Sequence, residues 1–158
     1  MKEASYNALM TAVLLQAYGG KAIKIFNPTM LGLPDTAHFK DGIISFIEVK
    51  MGEPRSVVRN KGILMCRPWD AVNDRRQFEV CRSLSKFATM VYMIYYSHIR
   101  YTAVLPMPIM EIFMDSTSLL KEGNHFVKGH GIGVLIRILN IRRKLIYETL
   151  HEEYGGEK

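Results

Sequence analysis

The sequence predicts an α/β domain in which helices flank a central mixed β-sheet. Three patterns predict it: an amphipathic stretch over residues 3–18, two β-rich segments that meet at Asp41-Gly42, and a second pair of β-rich segments over 89–105. Apolar residues recur about every 3.6 positions on one face of a helix and at every second position on a strand. At 158 residues the chain is long enough for one domain with its own hydrophobic core.

The first helix is predicted from Glu3 to Tyr18. Its apolar stripe consists of Ala8, Leu9, Ala12, Val13 and Leu15. Gly19-Gly20 ends it, because glycine is the usual residue just past a helix C-terminus. A short strand is predicted over 21–26, and a loop with proline and glycine over 28–34.

The next predicted element is a β-hairpin over residues 35–50. Its strands, over 36–40 and 43–47, are rich in β-branched and aromatic residues, and Asp41-Gly42 between them is a strong turn signal. If the strands pair around this turn, Asp35 returns to the same end of the hairpin as Glu48 and Lys50. Glu48 and Lys50 are two positions apart on one strand and therefore share a face.

A loop is predicted over residues 51–69, because four glycine or proline residues interrupt the segment. A short strand at 62–66 is an alternative within it. Asp70 is predicted to cap a helix that runs to about Lys86 and carries Gln77 in its middle. Paired strands are predicted over 89–96 and 101–105.

The C-terminal third has weaker patterns. A nuclease-like core is predicted over about 1–106, within one domain of 158 residues, and a C-terminal extension over 107–158. Residues 110–114 suit a short helix or strand, and 116–133 a polar connection. A helix is predicted over about 134–153. It has three alternative roles: packing on the sheet, a dimer contact, or a basic face along DNA.

The charge balance favours a polyanionic partner. The chain has a net charge of +6 and a pI near 9.4, and in a protein without a membrane anchor such a charge most often indicates nucleic acid. Basic residues also exceed acidic ones in the segment between Lys50 and Arg82. The candidates for phosphate contact there are Arg55, Arg59, Lys61, Arg75 and Arg76. A solvated loop face is the alternative for any one of them.

Composition and cysteine content exclude several classes of protein. With 48% apolar and 23% charged residues, neither general disorder nor a disulfide scaffold is expected. Cys66 and Cys81 are too far apart for a metal-knuckle spacing, so both are predicted to be free thiols. No apolar run has the length of a membrane span, and residues 1–20 lack the layout of a signal peptide, so we expect a cytoplasmic protein.

The hairpin end carries the most specific chemistry. Asp35 and Glu48 offer the carboxylate oxygens that Mg²⁺ prefers, and Lys50 adds a compact positive charge that can stabilise charge on a phosphate. Two carboxylates at one site repel each other, so one proton should be held more tightly than by a free carboxyl. The alternative is a turn cap at Asp35 with a surface ion pair of Glu48 and Lys50. An apolar run leading into Glu48 weakens that alternative.

These residues resemble the PD-(D/E)XK nuclease superfamily. The resemblance covers roughly the first two-thirds of the chain. It lies in Gly32-Leu33-Pro34-Asp35, the strand over 43–47 and Glu48-Val49-Lys50, with Glu3 on a preceding helix and Gln77 on a following one. In Asn27-Pro28 and Gln77 the chain resembles the virus-type replication-repair nuclease domain. In the short spacing between Asp35 and Glu48 it resembles archaeal Holliday-junction resolvases.

The resemblance implies a restriction-endonuclease-like core, αβββαβ in order, and a metal-dependent DNA endonuclease acting on branched or otherwise structured DNA. It implies that Asp35, Glu48 and the Val49 carbonyl bind Mg²⁺, for which Mn²⁺ can substitute. Lys50 would position the attacking water, Glu3 would support the ligands, and Gln77 would contact the water or a phosphate. The segment between Lys50 and Gln77 is longer than in the junction resolvases, which leaves flaps, ends and nicks open as substrates.

Three further questions stay open at the sequence level. A homodimer is one possibility, because two-fold substrates suit two-fold proteins. A nucleic-acid-binding protein with a nuclease-like core that no longer cuts is the main alternative function. A structural or interaction protein without a nucleic-acid role is the third interpretation.

Overall fold

The predicted N-terminal helix is present as α1 (Glu3–Tyr18), which buries Tyr6, Met10 and Leu14. Gly19 and Gly20 end it with φ of 85° and 82°, a backbone region that glycine enters without steric cost. The computed structural model describes residues 2–26, 32–72, 74–114 and 118–154, without the side chains at 142, 143, 146, 147, 150 and 154.

The predicted hairpin is confirmed. Strands β2 (Thr36–Lys40) and β3 (Ile43–Met51) pair antiparallel from Lys40 opposite Ile43 to Thr36 opposite Ile47. Asp41 and Gly42 both have positive φ, of 52° and 77°, as a two-residue turn with the twist of the strands requires. The strand before them, β1 (Lys21–Lys24), pairs with β2 and is shorter than predicted. The predicted loop over 28–34 lies outside the described residues except for 32–34.

The predicted loop over 51–69 is wrong, because most of it is a second hairpin. A 3-10 turn (Pro54–Ser56) leads into β4 (Val57–Asn60), which pairs antiparallel with β5 (Ile63–Cys66). Lys61 and Gly62 form its turn with φ of 51° and 80°. The strand considered at 62–66 is therefore β5, and the polar segment before it is β4.

The predicted helix start at Asp70 is also wrong. Asp70 lies in a 3-10 turn (Pro68–Ala71), where its carboxylate accepts a 2.9 Å hydrogen bond from Ser56 Oγ. Helix α2 (Arg75–Leu84) begins later, and Asp74 caps it by accepting the amide of Gln77. The observed N-cap, Asp74, lies four residues after the predicted one, because Asp70 belongs to the separate 3-10 turn that Pro68 begins.

The second half consists of two pairs of strands, each pair followed by a helix. The predicted strands are present as β6 (Thr89–Tyr96) and β7 (Tyr101–Pro106), and residues 110–114 belong mostly to α3 (Met107–Phe113). The predicted connection over 116–133 is wrong in part, because it contains β8 (Leu120–Lys121) and β9 (Phe126–Lys128). The last predicted helix is confirmed as α4 (Ile132–Tyr154).

The strands form two sheets. The central sheet has the order β1-β2-β3-β6-β7-β9, and β3–β6 is its parallel pair among antiparallel neighbours. The small sheet has the order β4-β5-β8. The predicted mixed α/β architecture is therefore observed. Strand β9 joins the central sheet and β8 the small one, so residues beyond 106 contribute to both.

Two hydrophobic clusters lie on the two faces of the central sheet. One cluster joins the sheet to α1 and α4 through Tyr6, Met10, Val49, Met93 and Leu135. The other joins it to α2, α3 and the small sheet through Phe78, Tyr92, Met110, Leu64 and Cys66. The free cysteines, Cys66 and Cys81, are buried in this second cluster. Within the described residues, no helix is long and apolar enough to cross a membrane.

Candidate active site

The pairing of β2 with β3 brings Asp35 and Glu48 together. One position beyond the last strand pair, Thr36 and Ile47, the amide of Asp35 donates a 3.0 Å hydrogen bond to Glu48 Oε1. The amide of Val49 donates a 2.9 Å hydrogen bond to Asp35 Oδ2. Each segment therefore binds a carboxylate of the other through a backbone amide, and this exchange fixes both side chains at the end of the hairpin.

The other oxygen of Glu48 is shared by two further side chains. Lys50 Nζ lies 3.4 Å from Glu48 Oε2, and Gln77 Nε2 donates to the same oxygen over 3.1 Å. Lys50 reaches it because it stands on the same face of β3 as Glu48. Gln77 reaches it because α2 packs on that face, with Asp74 holding the first turn of the helix. Three predicted site residues, Asp35, Lys50 and Gln77, thus contact the carboxylate of the fourth, Glu48.

The backbone of Val49 also lies beside Asp35. The amide and the carbonyl of one strand residue point to the same side, and the Val49 amide is directed at Asp35. Strand β2 begins at Thr36, so no β2 residue pairs with the Val49 carbonyl. The carbonyl therefore lies on the same edge of β3 as the amide that contacts Asp35, while the Val49 side chain is buried among α1 and α4 residues.

Glu48 is buried, with 2% of its surface exposed. The pKa of its carboxyl is raised to about 8, first by burial and second by the negative charge of Asp35, while Lys50 and Gln77 oppose the rise. The expectation that one proton is held more tightly than by a free carboxyl agrees with this direction. A bound cation would offset both the cost of burying the Glu48 charge and its repulsion by Asp35.

Two buried polar atoms near Glu48 have no hydrogen-bond partner among the described residues. They are the side-chain oxygen of Gln77 and the hydroxyl of Tyr92, whose residue lies opposite Glu48 in the β3–β6 register. Unsatisfied buried acceptors cost free energy. The Gln77 oxygen is an available acceptor beside Glu48, which matters if that carboxyl takes up a proton.

Glu3 is not brought into this cluster. It is exposed in the first turn of α1, and within the described part of the chain no hydrogen bond or ion pair joins it to Asp35, Glu48 or Lys50. Asn7, one turn later on the same side of α1, lies 3.5 Å from the Thr36 hydroxyl. This side of α1 therefore faces the residue next to Asp35, and a supporting role for Glu3 stays a prediction.

The predicted phosphate-contacting residues occupy exposed positions around the second hairpin and the start of α2. Arg55 lies 2.5 Å from Glu53, and Arg75 lies over the ring of Trp69. Arg59 and Lys61 belong to the turn region of the second hairpin, and Arg76 follows Arg75 on α2. All five are exposed, and their contact with nucleic acid stays a prediction.

The residues present suit a hard divalent cation. Carboxylate and carbonyl oxygens are the ligands that Mg²⁺ prefers, usually one or two carboxylates completed by water and substrate oxygens. Among the described residues no group of three or more His, Cys, Asp or Glu side chains could hold a metal ion. Asp35 and Glu48 provide two carboxylates, the number that Mg²⁺ commonly takes from a protein when water and substrate supply its other ligands.

Sequence reasoning missed the residue that positions Gln77. Asp74 accepts the Gln77 amide over 3.2 Å and sets where α2 begins. The signal was present, since Asp74 and Gln77 have the spacing of a capping box, in which an N-cap acceptor precedes glutamine or glutamate by three residues. Asp70 is the same type of residue and precedes the same apolar pattern, so the residue type and the pattern alone predict a helix start at Asp70 as well.

Comparisons with known proteins show no family for the chain. No protein-family model matches it, and no curated protein matches it. A solved structure of a bacterial homing endonuclease is similar to it with a TM-score of 0.42 and 13% identity, over 75% of this chain and 71% of that chain.

Proposed function

We propose that the chain is a metal-dependent endonuclease of the PD-(D/E)XK type that hydrolyses phosphodiester bonds in DNA. The observation that supports the proposal is the exchange of hydrogen bonds between Asp35 and the Glu48-Val49 segment, with Lys50 3.4 Å from Glu48. Two carboxylates held side by side next to an ammonium have little structural use in a metal-free domain, because burial and mutual repulsion raise the pKa of Glu48.

Asp35, Glu48 and the Val49 carbonyl would hold Mg²⁺, with Mn²⁺ as a substitute because it takes the same oxygen ligands. When bound, the ion supplies Lewis-acid polarisation of the phosphoryl group and lowers the pKa of the attacking water. The chain supplies the rest. The two backbone amides hold the carboxylates in place, so no side-chain rotation is needed when substrate arrives.

Lys50 is the residue that acts on the reacting atoms. Its ammonium is partly exposed, so it can reach a phosphate while it stays next to Glu48. There it positions the attacking water and stabilises the negative charge that develops on the phosphate oxygens. Gln77 orients Glu48 through its side-chain Nε2, and the oxygen of the same amide, which has no partner among the described residues, is an acceptor for a water beside Glu48.

DNA is the proposed polyanion because of the charge around the site. The chain has a net charge of +6, and Arg55, Arg75 and Arg76 flank the segments that carry Lys50 and Gln77. Basic side chains of this kind neutralise backbone phosphates and give a binding affinity that falls with salt. Preference for branched or structured DNA stays part of the proposal.

A substrate panel tests the function. Linear, nicked, flapped and four-way DNA are incubated with the wild type in Mg²⁺, Mn²⁺ and Ca²⁺, and with Lys50→Ala. We expect cleavage by the wild type in Mg²⁺ and Mn²⁺, loss of cleavage in EDTA, and binding without cleavage by Lys50→Ala. Binding without cleavage by the wild type across the panel would favour the inactive binder, and no salt-dependent binding would exclude both.

Self-association is a second part of the proposal. Helix α4 leaves Ile141 and Leu145 about half exposed, at 57% and 54%, beside an apolar groove of about 450 Å³ that Met107 and Pro108 also line. A homodimer would cover this surface and present two sites to a two-fold substrate. Sedimentation of the wild type against Leu145→Glu tests it, and a wild type that stays monomeric at high concentration would contradict it.

A further inference from the structure

The second hairpin is an insertion between the two elements that carry the site. Strand β3 ends at Met51, and β4 starts six residues later. After β5 the chain passes through the 3-10 turn (Pro68–Ala71) to Asp74 and the first turn of α2, which carries Gln77. Both ends of the hairpin therefore continue directly into residues that contact Glu48.

The base of this hairpin is fixed. The hydroxyl of Ser56, a residue 3% exposed, donates to Asp70 Oδ2 over 2.9 Å, and the Arg67 amide donates to the Ser56 carbonyl over 2.9 Å. Leu64 and Cys66 are buried in the core. A change in the position of the hairpin tip would therefore be transmitted to the chain segments on either side of the base.

The tip extends beyond β8, the third strand of the small sheet. Strand β8 pairs with β5 at Met65 and Cys66, and a main-chain bond from Glu122 reaches Leu64. Beyond that point, residues 58–63 are all exposed. Asn60 pairs with Ile63 across the Lys61-Gly62 turn, and Val58 and Arg59 pair with Met65 and Leu64. The tip is therefore the exposed end of a two-stranded ribbon, and the positive φ values of its turn suit the right-handed twist of paired strands.

The composition of the tip is unusual for a solvated turn. Its six residues are Val58, Arg59, Asn60, Lys61, Gly62 and Ile63. None is acidic, and Val58 and Ile63 leave 41% and 42% of their surface exposed. Exposed aliphatic side chains next to cations suit a partner that offers both apolar and anionic groups.

We infer that this tip, residues 58–63, enters the major groove of double-stranded DNA and reads base pairs beside the bond to be cut. The inference rests on the proposed function, since it assumes that DNA is the substrate. The major groove admits a two-stranded β-ribbon. Arginine pairs with guanine O6 and N7, asparagine with adenine N6 and N7, and aliphatic groups with the thymine methyl. Arg59, Asn60, Val58 and Ile63 provide these chemistries, and Lys61 provides a phosphate contact.

Binding selection tests the inference without requiring cleavage. The full chain is mixed with random-sequence duplex DNA in Ca²⁺, and the retained duplexes are sequenced. We expect an enriched base pattern a few base pairs long. Arg59→Lys should keep the overall affinity and the salt dependence, because the charge stays. It should relax the preference at one base pair by roughly tenfold, because lysine lacks the planar fork of arginine.

Two further variants complete the experiment. Asn60→Ala should relax the preference at a different base pair from Arg59→Lys. Arg137→Ala is the matched control, because Arg137 is exposed on α4, a helix that packs on the other face of the central sheet. It should leave the base pattern unchanged. Equal thermal unfolding midpoints show that these surface changes leave the fold intact.

The outcomes separate this inference from the proposed function. A wild type without base enrichment, a pattern unchanged in both tip variants, or stronger retention of single strands or duplex RNA would overturn the hairpin inference. The major groove of duplex RNA is too narrow for side chains to read. Enrichment without cleavage in Mg²⁺ would contradict the proposed nuclease and leave the hairpin inference standing.

Discussion

The chain contains two hairpins with the same kind of turn and opposite surroundings. In the first, Asp41-Gly42 joins β2 to β3; in the second, Lys61-Gly62 joins β4 to β5, and all four turn residues have positive φ. The first hairpin lies inside the central sheet and ends at the buried Glu48. The second ends in an exposed tip that carries Arg59 and Lys61.

The difference shows that the turn residues determine the shape of a hairpin, whereas the neighbouring strands determine which of its side chains are buried and so what it can do. Strand β3 has β2 on one side and β6 on the other, so its charged end is desolvated and its carboxylate pKa is raised. Strand β4 is an edge strand with one neighbour, so its polar side chains stay hydrated. Reactive chemistry suits the first setting, and recognition of a large partner suits the second.

The largest expected difference between the hairpins concerns their lysines. Lys50→Ala should lower kcat by about 100-fold or more, because it removes a positive charge beside the reacting phosphate, and should leave DNA affinity within a few fold. Lys61→Ala should do the reverse, lowering affinity and leaving kcat unchanged. Single-turnover cleavage and equilibrium binding of both variants measure this. Equal losses of kcat in the two variants would refute the division of labour.

The junction between the hairpins provides the next test. A Cβ at Gly52 would lie 2.1 Å from the ring of Tyr96, which is fully buried. Gly52→Ala should therefore lower the free energy of unfolding by about 2–3 kcal/mol through overpacking. Gly62→Ala is the control, since nothing lies within 4 Å of its Cβ and its φ is +80°. Gly62→Ala should lower the free energy of unfolding by about 1 kcal/mol, because alanine is strained at this positive φ. Chemical denaturation compares the two.

Glu48 provides a test that depends on pH. Its pKa is raised from 4.5 to about 8 in the folded chain, so folding favours the protonated form. The resulting stabilisation is fully present below about pH 4.5 and is lost as the pH rises through about 8. Glu48→Gln removes this loss. In EDTA at pH 8 it should raise the free energy of unfolding by on the order of 4 kcal/mol, and near pH 4.5 by almost nothing.

The same variant should lose cleavage, since an amide cannot replace an anionic ligand. Denaturation at several pH values measures the stability difference, and the substrate panel measures activity. The unpartnered Gln77 oxygen is available to accept from the new amide after a side-chain flip. A stability difference that is constant with pH would contradict the assignment of the buried proton to Glu48.

The smallest expected effect concerns salt. Lys61→Ala should reduce the slope of log affinity against log salt concentration by about 1, because one phosphate contact and its released counterion are lost. Fluorescence anisotropy at several salt concentrations measures the slope. The charge-matched control Lys61→Arg should keep it. An unchanged slope in Lys61→Ala would show that the tip does not touch phosphate.

The first hairpin could be predicted from the sequence because its signals are local. Asp41-Gly42 between two β-rich segments specifies the turn, the turn specifies the register, and the register brings Asp35 next to Glu48. The contact of Gln77 with Glu48 depends on how α2 packs across the sheet. No spacing in the sequence specifies how close Gln77 comes to Glu48, although the resemblance to a nuclease family indicated Gln77 as a site residue.

The second hairpin was missed for a physical reason. Lysine seldom adopts positive φ, so Lys61-Gly62 is a weaker turn signal than Asp41-Gly42. Strand β4 has four residues, of which three are exposed, so it lacks the alternation of a half-buried strand. Strands β8 and β9 have two and three residues. Such strands exist because a longer neighbour pairs with them, and local propensity does not reveal that pairing.

The cysteines of the core have a practical consequence for following the tip in solution. Cys66 and Cys81 are both fully buried, and burial raises the pKa of their thiols to about 12 and about 11. Thiols of this kind are almost wholly protonated at neutral pH and react slowly with maleimides. A fluorophore attached through Lys61→Cys would therefore label a single position in the native chain, and its emission would report directly when the ribbon meets DNA.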